Sequence, residues 1–133
     1  MKPSRSFLHA VRVADAILFW PAVALVIYGE LSAGPERLFS TLFGDINDKI
    51  LHFEAYFVLG AMAGAAFRSR KPVLWGVAGL IVLGGMLEII QAQVGRDMSL
   101  LDEAANAAGA LSGAVIARLV VEPLRRRWAQ IER

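Results

Sequence analysis

The sequence predicts an all-α polytopic membrane protein, a single domain over residues 1–133 whose four transmembrane helices form a bundle. Three observations predict it. Hydrophobic residues make up 56% of the 133-residue chain and its mean hydropathy is +0.52, more apolar side chain than a soluble core of this size buries. Those residues gather in four stretches of about 18 to 22 residues, the length that carries a helix across about 30 Å of hydrocarbon. Nowhere is the period-two alternation of a strand sustained, and open strands are not viable in lipid. The chain has no cysteine, which excludes a disulfide-stapled module, thiol catalysis and thiolate metal sites.

The first segment, 13–31 (VADAILFWPAVALVIYGEL), carries Pro21, where a kink is expected. Basic residues precede it as in a secretory signal, but the apolar run is too long for one. The Ser-Ala-Gly that follows is succeeded by Pro35, unfavourable just beyond a cleavage point, so a retained signal anchor is expected. Between Pro35 and Gly44, Leu38, Phe39, Leu42 and Phe43 share a face between proline and glycine punctuation, which predicts a short interfacial helix over 35–43. The second, third and fourth segments span 50–67, 73–94 and 100–121. Small residues in GVAGLIVLGG and EAANAAGALSGA let backbones approach closely, the basis of helix packing in a bilayer.

Charge sets the expected topology. Lys2, Arg5, Arg12, Arg68, Arg70, Lys71, Arg118, Arg125, Arg126, Arg127 and Arg133 fall at one side of the four segments, leaving Arg37, Lys49 and Arg96 at the other. The positive-inside rule then places both termini in the cytoplasm and the 35–43 helix in the first extracytoplasmic loop. The arginines of VEPLRRRWAQIER read as juxtamembrane contacts to anionic lipid, so no nucleic-acid partner is expected. Nine of the twelve acids lie toward the extracytoplasmic side, against Asp15, Glu122 and Glu132.

Solvated loops do not explain Glu88, about seven residues and roughly 10 Å inside the end of its segment. An ionisable group at such depth costs on the order of 2.5–3.5 kcal/mol on insertion scales, so it faces a bundle interior or a cavity and has a partner. Helical spacing aligns Asp48, His52, Tyr56 and Gly60 on the second segment, with Glu54 turned away from His52. It aligns Gly84, Glu88, Gln91 and Gly95 on the third and Asp102, Asn106, Gly109 and Gly113 on the fourth. A bundle brings His52, Glu88, Gln91, Asp102 and Asn106 together around an outward-opening polar pocket, with Asp48, Lys49, Tyr56 and Arg96 beside them. Structural roles compete for several of these residues. Asp102 stands three residues after Ser99 in capping-box spacing, Asn106 can act as interhelical glue, and His52 can pair with Asp48 one turn back.

Asp48-Lys49-x-x-His52-Phe53-x-x-Tyr56-Phe57-x-x-Gly60, then Glu88-x-x-Gln91, Gly95-Arg96, Ser99, Asp102, Asn106, Gly109 and Gly113, resembles the VanZ-like family of small bacterial membrane proteins. The resemblance covers roughly Asp48 to Gly113. Val94, where the family often has proline, and Asp97 after the arginine depart from its pattern. It implies a multi-pass protein of the bacterial cytoplasmic (inner) membrane with a task in the cell envelope. Through the family's namesake it implies an association with teicoplanin-type glycopeptide resistance.

Three functions remain open on the residues alone. A binding protein would hold the headgroup of a membrane lipid or lipid-linked envelope precursor, Arg96 and Lys49 meeting phosphate and the carboxylates and Asn106 taking hydroxyl or amine groups. An intramembrane hydrolase or transferase would use His52 as general base with Glu88 or Asp102 orienting it or acting as acid. Ion transport would require several copies of so small a bundle to assemble as a homo-oligomer. No G-x-S-x-G, H-E-x-x-H or Walker pattern occurs. No cofactor or metal is expected, because one histidine with scattered acids is a weak ligand signature.

Overall fold

The computed structural model describes residues 5–32, 41, 47–93 and 98–131. As expected, the architecture is all-helical: α1 is Arg5–Leu31, α2 Asp48–Ala66, α3 Arg70–Gln93 and α4 Leu100–Ile131. The helix expected over 35–43 lies outside the described residues except for Thr41, and so does Arg96. α1 begins eight residues ahead of the 13–31 apolar run and passes through Pro21; α4 continues ten residues beyond 121, through Pro123. Apolar length thus bounds the part of each helix suited to lipid, while backbone hydrogen bonding carries it further into polar sequence.

Helix ends are set by side-chain chemistry. Asn47 caps α2, its Oδ1 accepting from the Lys49 N–H at 3.0 Å. Ser99 caps α4, its Oγ accepting from the Asp102 N–H at 3.2 Å. At the end of α1, both the N–H and the hydroxyl of Ser32 donate to the Tyr28 carbonyl, at 3.0 and 2.6 Å.

The tightest contact in the bundle joins α2 and α4, which run parallel: Lys49 meets Asp102 at one end and Gly64 meets Ala114 further along. Glycines on both helices make this possible. A Cβ at Gly60 would overlap the Ala110 carbonyl, and one at Gly64 would lie 2.5 Å from the Ala114 carbonyl oxygen. Reciprocally, Cβ atoms at Gly109 and Gly113 would overlap the carbonyls of Phe53 and Phe57. The four glycines form two small-x-x-x-small pairs facing each other, so the helices touch backbone to backbone and dispersion contacts are dense. Next to this seam the apolar core is Val23, Tyr56, Leu59, Val73, Val77, Leu80, Ala110 and Ala114. α3 packs on α2 and α4, whereas α1 packs on α2 and α3.

Because the helices alternate in direction, the C-terminal ends of α1 and α3 and the N-terminal ends of α2 and α4 share one end of the bundle. The other end is basic and structurally occupied. Arg118 donates to the carbonyls of Phe67, Arg68 and Ser69 at 3.5, 3.2 and 3.2 Å, and Arg125 donates to those of Ala65 and Phe67. Carbonyls at and beyond a helix C-terminus lack intrahelical donors and carry the negative end of its dipole, so two guanidinium groups from α4 satisfy the end of α2. Arg125, which reads from sequence as a lipid contact, therefore joins two helices, as does Arg118.

Candidate functional site

Polar residues expected to face inward are buried at the acidic end, and Glu30, which was not expected there, is buried with them. Glu30, His52, Glu88, Gln91, Asp102 and Asn106 are each less than a tenth exposed, and Tyr56 and Asn106 are fully enclosed. Asp48 and Lys49 stand at the rim, about two-fifths exposed. Glu54 is exposed, on the face away from His52.

At the centre is a chain of hydrogen bonds that defines the state of the histidine. The Asn106 Nδ2 donates to Glu103 Oε2 at 3.4 Å, which turns its Oδ1 toward His52 Nδ1 at 3.0 Å. An amide oxygen only accepts, so Nδ1 carries the proton. Glu30 Oε1 lies 3.6 Å from the same nitrogen, beyond hydrogen-bonding distance, where a carboxylate favours a proton on Nδ1. In the neutral ring Nε2 then holds a lone pair, and it faces Asp48 Oδ2 at 3.8 Å, beyond hydrogen-bonding distance. The i,i+4 relation of Asp48 and His52 was legible in the sequence.

Glu88 and Asp102 are committed elsewhere. Glu88 Oε2 accepts from the Ser99 N–H at 2.8 Å, so a carboxylate on α3 holds the N-terminal end of α4, where the helix dipole favours negative charge. In a closed capping box Asp102 would reach back to that N–H; with Glu88 in its place, the Asp102 carboxylate pairs with Lys49 Nζ at 3.1 Å. Neither group is bonded to His52; the side chain that is bonded to it is Asn106. Gln91 bridges two helices instead, its Nε2 donating to the Glu30 carbonyl at 2.8 Å near the end of α1. The buried Tyr56 hydroxyl makes no hydrogen bond among the described residues.

Gly84 makes room for this arrangement. A Cβ there would stand 2.5 Å from Glu103 Oε2, 2.9 Å from Asn106 Nδ2 and 3.2 Å from Tyr56 Oη. The glycine of α3 thus admits side chains from α2 and α4 against its backbone.

Two participants were not foreseen. Glu30 sits one residue inside the end of the first apolar run and reads as a loop acid, although its place within that run is a signal of inward burial. Glu103 lies beside Asp102 in sequence and three residues before Asn106, a spacing that permits the bond it makes. No family model, curated protein or solved structure matches the chain.

Proposed function

We propose that this chain is a VanZ-like protein of the bacterial cytoplasmic membrane that crosses the bilayer four times with both termini inside. Its extracytoplasmic polar cluster binds the headgroup of an envelope lipid or lipid-linked cell-wall precursor. The observation that carries the reading is an inverted pattern of burial. Leu74, Trp75, Leu100 and Leu119 are each more than three-fifths exposed, while Glu30, His52, Glu88, Gln91, Asp102 and Asn106 are buried. Water does not favour such an exterior, and lipid does.

Helix dimensions support the same reading. Two helices, Arg70–Gln93 and Leu100–Arg127, are long and apolar enough to cross a membrane, and Ile17–Leu31 is a shorter apolar helix. α2 places Asp48, Lys49, His52 and Glu54 in its first two turns and is apolar from Tyr56 onward, so its charged start belongs at the interface. The basic end, with Arg68, Arg70, Lys71, Arg118 and Arg125, belongs in the cytoplasm by the positive-inside rule, which turns the polar cluster outward.

Binding is favoured over hydrolysis by the partners of the carboxylates. Glu88 holds Ser99 and Asp102 holds Lys49, so neither is bonded to His52 as a catalytic orienter. Lys49, at the rim, supplies a cation for a phosphate oxygen, and Asp48 beside it accepts from a headgroup amine or hydroxyl. Arg96, three residues before Ser99 in sequence, is assigned to the same phosphate. Any part in glycopeptide resistance would act through this binding.

Native mass spectrometry tests the reading. Protein extracted in mild detergent and offered an equimolar mixture of phosphatidylethanolamine, phosphatidylglycerol, cardiolipin and an undecaprenyl-diphosphate-linked precursor should retain one headgroup class selectively. The Lys49→Ala and Arg96→Ala variants should each release it. Retention in proportion to the mixture, or unchanged in both variants, would refute a specific site.

A further inference from the structure

The geometry points to a divalent transition-metal site formed by Asp48, His52 and Asp102 at the junction of α2 and α4. One ligand atom from each of the three lies within 4.8 Å of the others. Sequence spacing supplies only the Asp48/His52 pair on one helix face; the parallel packing of α4 along α2 brings Asp102 to it. Cis ligands around a first-row ion at about 2.0–2.2 Å lie about 3 Å apart, so a small inward movement of side chains closes the set.

His52 is the independent observation that indicates a ligand. Its side chain is 5% exposed, and its Nε2 makes no hydrogen bond among the described residues. The other ring nitrogen is held as a donor by Asn106, which Glu103 orients in turn. This is the outer-shell arrangement that fixes a metal-binding imidazole, an N–H given to an oxygen acceptor on one side and a lone pair presented on the other. That lone pair faces the Asp48 carboxylate, itself an acceptor. An acceptor facing an acceptor is repulsive unless a metal ion, or a proton on Nε2, lies between them.

The surroundings add to the cation's attraction. Glu88 Oε1 is buried without a hydrogen-bond partner among the described residues. Lys49 Nζ occupies the Asp102 side of the site at 3.1 Å, but its side chain is 44% exposed and is free to swing outward. Lysine and metal therefore compete for Asp102. Asp48, 40% exposed, gives an entering ion a path from the aqueous side. One imidazole nitrogen with two carboxylates suits Zn²⁺, Mn²⁺, Fe²⁺ or Co²⁺ better than Mg²⁺ or Ca²⁺, which favour all-oxygen sets. The assignment rests on the side-chain geometry and is independent of whether a lipid binds nearby.

Co²⁺ reports occupancy and geometry through its visible absorption, and Zn²⁺ displaces it. The purified full-length protein in detergent should bind one equivalent of Co²⁺ with d–d bands that Zn²⁺ abolishes. Asp48→Asn, at the rim and therefore harmless to folding, should weaken binding by about tenfold or more, and His52→Gln should remove it. Lys49→Met should strengthen it by relieving the competition, while His9→Gln, the chain's other histidine, should leave it unchanged. Absence of Co²⁺ binding to folded protein would overturn the proposal. So would Co²⁺ binding that persists in both Asp48→Asn and His52→Gln, or that Lys49→Met leaves no tighter.

Discussion

Replacing Gly113 with alanine should destabilise the bundle by about 1–3 kcal/mol, the range for overpacking a close contact, and replacing it with leucine should prevent α4 from seating on α2. The reason is the nature of the neighbour. The added Cβ overlaps the Phe57 carbonyl and comes within 2.9 Å of the Ala61 nitrogen, so a backbone would have to move. A flexible side chain could yield; a helix backbone yields only by displacing the whole helix. Gly60→Ala should do similar damage from the opposite side, against Ala110. Gly79→Ala, whose Cβ meets nothing within 4 Å, should be neutral or slightly stabilising because alanine favours helix. Gly84→Ala falls between, since its neighbours are the ends of Glu103, Asn106 and Tyr56. Circular dichroism during unfolding of detergent-solubilised variants would give the order. Equal sensitivity at positions 79 and 113 would contradict the backbone contact between α2 and α4.

Asn106→Leu should likewise cost about 1–3 kcal/mol, the penalty for leaving a buried polar group without its partner. Asn106 is fully enclosed, and its loss strands the His52 Nδ1–H and removes a donor from Glu103. The effect is distinguished from a simple packing defect by a double-mutant cycle. His52→Leu and Asn106→Leu should each destabilise, and the pair together should destabilise by less than their sum, because the second change removes the group that the first left unsatisfied. Additive losses would show that the two side chains do not share a hydrogen bond. A Co²⁺-binding defect in Asn106→Leu would connect the same bond to the ligand state of Nε2.

The helices and their inward faces were legible because both follow from single-helix periodicity. Apolar runs of the right length mark α3 and much of α1, α2 and α4, and i,i+4 spacing places Asp48, His52 and Tyr56 on one face. Glycine content also pointed to close packing. The partner of each group was less legible, since pairs across helices depend on rotation and register that no single segment records. Lys49 with Asp102 follows from the parallel alignment of α2 and α4, and Glu88 with Ser99 from the return of the chain between α3 and α4. Ser99 and Asp102 in sequence suggest a closed capping box; only the fold reveals Glu88 taking one half of it. Glu30 escaped notice because an acid at the end of an apolar run resembles a loop residue until α1 is packed against α2. Arg125 looks like a lipid contact on α4 alone, and with Arg118 becomes a cap once the end of α2 is beside it.

The claim on which the functional reading depends is that the bundle spans a membrane with its polar cluster outside. The chain contains no cysteine, so a single introduced thiol reports one position without background. Thr41 precedes α2 at the acidic end and Ser69 lies between α2 and α3 at the basic end, and both are exposed. In intact bacterial cells with the outer membrane made permeable, a membrane-impermeant maleimide should label Thr41→Cys. It should reach Ser69→Cys only after the cytoplasmic membrane is opened. Labelling of both positions in intact cells, or protection of Thr41→Cys with labelling of Ser69→Cys, would contradict the account.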